Sequence, residues 1–398
     1  MRTRKLRAAV GLLSATALLV VACSTAAPAT QPPSTQAPSS QAPASQAPGS
    51  GAPAAATVSL QLQWAPQAQF AGYFAADREG YYEDEGLTVN ILPGGPDVQP
   101  QVVGSDAAGP EFTISWVPKV LEVRANDQSD LVNIAQIFQR SGTRSVSWAA
   151  GAGPEPPSDE DITSPEQYAG KNIGAWLGGN EHEVVAAALN YELVANEDYT
   201  LVNQPFDMSL LLNREIDVAE AMIYNEYAQV LEAENPDTGE LYQPEDLNVI
   251  DYNDEGTAML QDAIFAREAW LAEEGNEDIA TRFLRASFRG WIFCRENPED
   301  CIQYTVDAGS TLGAGHQAWM MNEINPLIWP SEAGIGAMSA AQWDQTVEVA
   351  VGAEIIPEAP DDSAYRTDLS DAARAGIEED AIGADFEKGV VEVTPGGE

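Results

Sequence analysis

Histidine is almost absent from this chain of 398 residues; there are two, His182 and His316. They stand far apart, so a zinc site built on paired His and Cys ligands is not expected. Cysteine is nearly as scarce, with three. Lysine occurs at Lys5, Lys119, Lys171 and Lys388, and lysine plus arginine total 19 against 62 aspartates and glutamates. The formal net charge of -43 repels phosphate backbones and anionic headgroups, which excludes nucleic acid as a partner. Neither Gly-x-Ser-x-Gly nor Gly-x-Gly-x-x-Gly occurs, and no nucleophile–base pair stands out. No catalytic residue, resident metal or cofactor is therefore expected. Apolar residues at 44% and aromatics at 8% allow a sizeable core.

Long apolar runs are missing too. The longest, residues 8–22, is too short to span a bilayer and follows Arg2, Arg4, Lys5 and Arg7. This is the pattern of an export signal, residues 1–22. Val20-Val21-Ala22-Cys23 resembles a bacterial lipoprotein site, which implies lipid attachment at Cys23. Residues 23–57 form an Ala/Pro/Gln/Ser-rich tether, with no charge from Ser24 to Thr57. The expected location is the outer face of a cell membrane, on the periplasmic or exterior side. Cys294 and Cys301 remain; outside the cytoplasm such a pair favours a disulfide, with a reactive thiol or metal site as the alternative.

Beyond the tether, short strands alternate with helices, an α/β pattern. Strands are expected at 58–64, 87–92, 112–116 and 131–138, then at 172–176, 199–202, 218–223 and 247–252, and again near 263–266. Helices are expected at 70–79, 181–193, 224–232, 267–274, 277–295, 298–308 and 316–327. The length suits two lobes. The division is 58–145 for the first part of lobe 1, 146–252 for lobe 2 and 253–360 for a helical return to lobe 1. Residues 361–398 read as an acidic tail, loosely held from residue 382.

The run Leu62-Gln63-Trp64-Ala65-Pro66-Gln67-Ala68-Gln69-Phe70-Ala71-Gly72-Tyr73-Phe74, followed by Glu79-Gly80-Tyr81-Tyr82 and Glu85-Gly86-Leu87, carries a resemblance. It is similar to the substrate-binding proteins of ABC importers related to thiamine pyrimidine synthase and to the aliphatic sulfonate binders. The likeness continues through Asp207-Met208-Ser209-Leu210-Leu211 and Ile223-Tyr224-Asn225-Glu226. It implies a type II periplasmic-binding-protein fold, two α/β lobes with a ligand cleft between them. It further implies a monomer that hands a small molecule to an ABC permease. In the pyrimidine-precursor binders an Asn and a His follow the Trp-x-Pro; here Gln67 and Phe70 stand there, which speaks against pyrimidine. The same departure speaks against the pyrimidine synthase-like enzyme branch. The riboflavin-binding components look closer, through 67–73, 137–142, 178–181 and 320–325. Riboflavin is thus the first expected ligand and a thiamine pyrimidine precursor the alternative.

A flat ring needs stacking faces and a few fixed polar partners. Trp64 and Trp116 end strands, where open α/β sheets expose side chains to a crevice. A core position is the rival reading for each. Gln67 and Gln69 offer amide donors and acceptors, and Phe70 follows them. Gln139 follows the strand at 131–138. In Gly178-Gly179-Asn180-Glu181, glycines and free helix N–H groups favour an acceptor oxygen, and a tight capped turn is the alternative. Tyr224, Asn225 and Glu226 bring phenol, amide and carboxylate together after a buried strand. Helix capping is their competing reading.

Overall fold

The computed structural model describes residues 54–398. The export signal, Cys23 and most of the tether lie outside the described residues. Alternation starts lobe 1 two residues earlier than the sequence suggests. In β1 (Ala56–Gln61), Val58 and Leu60 are buried while Thr57 is exposed. β1 pairs in parallel with β2 (Leu87–Leu92) and with β3 (Phe112–Ser115). β4 (Leu131–Gln136) lies at the far edge.

The chain then crosses to lobe 2. There β5 (Thr143–Trp148), β6 (Asn172–Ala175), β7 (Thr200–Asn203), β8 (Val218–Met222) and β9 (Leu247–Asp251) form a sheet in the order β7-β6-β8-β5-β9. β5 already belongs to this sheet, so the lobe boundary falls before Thr143 and not at 145/146. After β9 the chain returns, and β10 (Ala263–Arg267) enters the first sheet, giving the order β2-β1-β3-β10-β4. In each sheet the strand that arrives from the other lobe is the antiparallel one: β10 between β3 and β4, β5 between β8 and β9.

The two crossings are cross-linked at the waist. Glu183, on the lobe 2 helix His182–Leu189, accepts from Ser141 Oγ on the first crossing (2.7 Å) and from Met259 N–H on the second (2.8 Å). Gln261 accepts from Gly142 N–H at 2.8 Å and donates to Thr143 Oγ1 at 2.7 Å. Burial pushes the Glu183 carboxyl up to about 8, against the Met259, Ser141 and Arg144 interactions that favour its ionised form.

Helices cover lobe 1. The helix Asn276–Glu296 packs on the helix Ala71–Arg78 so closely that a Cβ on Gly290 would lie 2.0 Å from the Gly72 carbonyl oxygen. Cys294 and Cys301 form a disulfide that ties this helix to the next, Pro298–Asp307. Residues 361–398 are not a free acidic tail. Arg366 N–H bonds Asn133 O on the outer edge of β4, and Leu369 and Ala373 of the helix Asp368–Arg374 are buried. Further on, Ser331 N–H bonds Ile382 O and Gly396 N–H bonds Glu232 O. β4 thus has its open edge covered, which removes a free template for strand pairing.

Candidate ligand-binding cleft

Parallel strands of both sheets end at the gap between the lobes, and their following loops line one cavity of about 570 Å³. Trp64 follows β1, Trp116 follows β3, Trp176 follows β6, Phe206 follows β7 and Tyr224 follows β8; all five line it. A close backbone contact sets the Trp64 loop. Gly94 N–H bonds Trp64 O at 2.9 Å, and a Cβ on Gly94 would lie 2.5 Å from Leu62 O, so only glycine fits. Across the gap Trp64 meets Phe206 with ring centroids 4.6 Å apart, and Phe206 stacks on Trp176 at 6.3 Å.

The lobe 1 wall is a hydrogen-bond chain. Gln67 Nε2 donates to Gln69 Oε1 (2.6 Å), and Gln69 Nε2 donates to Asp262 Oδ2 (2.8 Å). Trp116 Nε1 donates to Asp262 Oδ1 (2.8 Å). Burial pushes the Asp262 carboxyl up to about 7 despite these donors and the charge of Lys119. Lys119 Nζ lies 4.9 Å over the Trp116 ring. Burial pulls its ammonium down to about 8, opposed by Asp262, Glu220, Glu181 and Glu122.

The lobe 2 wall follows β8. Glu226 accepts from Met222 N–H (3.0 Å) and from Asn225 Nδ2 (2.8 Å), and burial pushes it up to about 7. His316, on the helix Ala314–Ile328, sits behind. Its Nε2 is 2.9 Å from Asn225 Oδ1, and its Nδ1 is 2.8 Å from Glu232 Oε1. The ring therefore fixes the Asn225 amide, which turns its nitrogen to Glu226.

The structure gathers Trp64, Gln67, Gln69, Trp116, Asn180, Tyr224, Asn225 and Glu226 around the cavity. Three residues named from the sequence are not on its wall. Phe70 is fully buried in the lobe 1 core, because its short helical turn points inward. Gln139 donates to Gln136 O and Ala337 O at the waist and lines a separate cavity of about 180 Å³. Glu181 turns back on its own loop and accepts from the N–H groups of Gly178 (3.2 Å), Gly179 (2.8 Å) and Asn180 (3.0 Å). Sequence reasoning missed Asp262, Lys119, Trp176, Phe206 and His316. Trp176 carried a visible signal, since it ends a predicted strand as Trp64 and Trp116 do.

Two α/β lobes joined by two crossings, with strand-end aromatics facing the gap, define a protein of the periplasmic-binding type. The chain belongs to the NMT1/THI5-like family, whose model matches residues 67–301. It is 28% identical over 256 residues to the formylaminopyrimidine-binding protein of Halalkalibacterium halodurans, covering 63% of this chain and 69% of that protein. Among solved structures it is similar to the periplasmic aliphatic sulphonate binding protein SsuA of Escherichia coli, with a TM-score of 0.55 at 13% identity. That match covers 76% of this chain and 89% of the other. It is also similar to the alkanesulfonate-binding protein SsuA of Xanthomonas axonopodis pv. citri bound to MOPS, with a TM-score of 0.55 at 11% identity and coverage of 80% and 100%. These structural matches establish the fold.

Proposed function

We propose that this protein is the extracytoplasmic substrate-binding component of an ABC importer. In this reading it captures an aminopyrimidine of the thiamine-precursor type and passes it to a membrane permease. The observation that carries it is the pairing of aromatic walls with a buried carboxyl on the cavity wall, Glu226, and with the amides of Gln67 and Gln69, which Asp262 holds from behind through Gln69. A pyrimidine ring offers a flat face to the walls, and its exocyclic N–H groups suit the Glu226 carboxyl and the side-chain amide oxygens. The relative named for binding formylaminopyrimidine supports the same ligand class.

Riboflavin is the second reading, and size favours it. A cavity of about 570 Å³ exceeds what one six-membered ring fills, and the amides of Gln63, Gln101 and Asn180 suit the hydroxyls of a ribityl chain. The role is capture and not pyrimidine synthesis, because Phe70 holds the position where the enzyme branch carries a histidine. Export and lipid attachment at Cys23 belong to the same proposal. The Cys294–Cys301 disulfide fits an oxidising compartment.

Calorimetric titration of the purified protein with formylaminopyrimidine, hydroxymethylpyrimidine and riboflavin tests the reading. One of the three is expected to bind at micromolar Kd or tighter; silence from all three sinks the vitamin-ligand reading. Trp64→Ala removes the stacking face that meets Phe206 and should weaken the bound ligand about tenfold, the scale of one aromatic contact.

A further inference from the structure

The turn Gly178–Asn180 opens the helix His182–Leu189 at the cavity wall, with Gly178 and Asn180 lining the cavity. Three successive backbone N–H groups converge there, the geometry that binds phosphate, sulfonate or carboxylate groups. In this chain the place is taken. The Glu181 carboxylate, one residue past the turn, accepts all three N–H groups. Burial opposes its ionisation, yet the N–H groups of Gly179, Glu181 itself and Gly178, together with His182, outweigh burial and hold the carboxyl below the usual range. The carboxylate thus behaves as a bound anion supplied by the chain.

The rest of the cavity offers an incoming anion little positive charge. Lys119 is the one cation among the described lining residues, and burial pulls its ammonium down to about 8. Gln67 Nε2, Gln69 Nε2, Trp116 Nε1, Trp176 Nε1 and Asn225 Nδ2 each donate to a protein acceptor. Among the fully buried side-chain atoms of the described lining residues, those left unpartnered are oxygens. Gln63 is 7% exposed, and its Oε1 is buried at the cavity wall with nothing to accept from; Gln101 Oε1 and Asn180 Oδ1 are likewise unpartnered. Leftover acceptors call for a ligand that donates, and they repel phosphate oxygens.

We infer that Glu181 is a specificity-determining residue: its carboxylate plugs the anion site at the Gly178–Asn180 turn, so that the cleft admits uncharged, donor-bearing heterocycles and rejects their phosphate esters and sulfonates. This deepens the proposed function and rests on it for the identity of the heterocycle. It also sets an order of reactions, because a phosphorylated form reaches this protein only after hydrolysis of its ester.

The test titrates the full-length mature protein with inorganic phosphate, methanesulfonate, and the matched pairs riboflavin with its phosphate and hydroxymethylpyrimidine with its phosphate. Wild type is expected to bind neither small anion at millimolar concentration and to prefer the neutral member of the bound pair at least tenfold. Glu181→Ala should gain phosphate binding in the millimolar range and narrow that preference at least tenfold. Glu181→Gln keeps an acceptor over the turn without the charge and should fall between; it carries the test if the alanine variant does not fold. Wild type that binds phosphate in the cleft, or variants that gain no anion affinity, overturns the inference. Neutral heterocycles that fail to bind wild type overturn the proposed ligand class instead, and the anion titrations still decide the role of Glu181.

Discussion

Asp262 organises one wall of the cleft by receiving Gln69 Nε2 and Trp116 Nε1 at once. Asp262→Ala strands two buried donors, and each stranded donor costs about 1–3 kcal/mol. The variant should melt earlier in a calorimetric scan and bind ligand more weakly; unchanged melting and affinity would show that the chain of bonds holds nothing in place. Asp262 was invisible in the sequence because the glutamine and aspartate before β10 carry no periodic signal, and its partners are 193 and 146 residues away. His316 was hidden the same way, being 91 residues from the Asn225 it orients. Trp64, Trp116 and Tyr224 were legible because a strand-end aromatic obeys a local rule, a side chain at the carboxyl end of a sheet. Glu181 was legible as a residue of the turn but not as its occupant, since pattern alone does not reveal which way a carboxylate folds.

Among the elements, the strands with clean alternation or long apolar runs read correctly. β5 did not, because Thr143-Arg144-Ser145-Val146-Ser147-Trp148 looks like loop. All six are buried, and the polar ones face partners from elsewhere: Gln261 for Thr143, Asp251 for Arg144 and Tyr252 for Ser145. The helix Ala340–Gly352 was missed too, as a mixed Ala, Gln and Val stretch without a sharp apolar stripe. At the waist, Glu183 joins the two crossings through Ser141 and Met259. Glu183→Ala leaves that amide and that hydroxyl without an acceptor and should lose about 1–3 kcal/mol in urea unfolding, with Glu183→Gln losing less. Equal unfolding midpoints for all three proteins would mean that the crossings need no clamp.

For the whole molecule, the formal charge of -43 and the raised carboxyls point the same way. Asp262 and Glu226 sit at about 7 and Glu183 at about 8 in the folded protein, above their ordinary values of 3.8, 4.5 and 4.5. Between those limits the folded state binds more protons than the unfolded chain, so stability rises as pH falls from 8 towards 5. The ligand-free protein should therefore show a higher Tm at pH 5.5 than at pH 8, and Glu183→Gln should flatten the slope. A Tm that drops on acidification would contradict the buried, protonated state of these groups. Topology has its own consequence. Residues 143–251 form their sheet from one continuous stretch, whereas β3 and β4 are joined only through β10, which the ribosome delivers much later. Loop closure on that scale is slow. The nascent chain therefore carries a half-built N-terminal sheet behind a C-terminal keystone, and any truncation before residue 263 leaves two rows of backbone amides with no strand to join them.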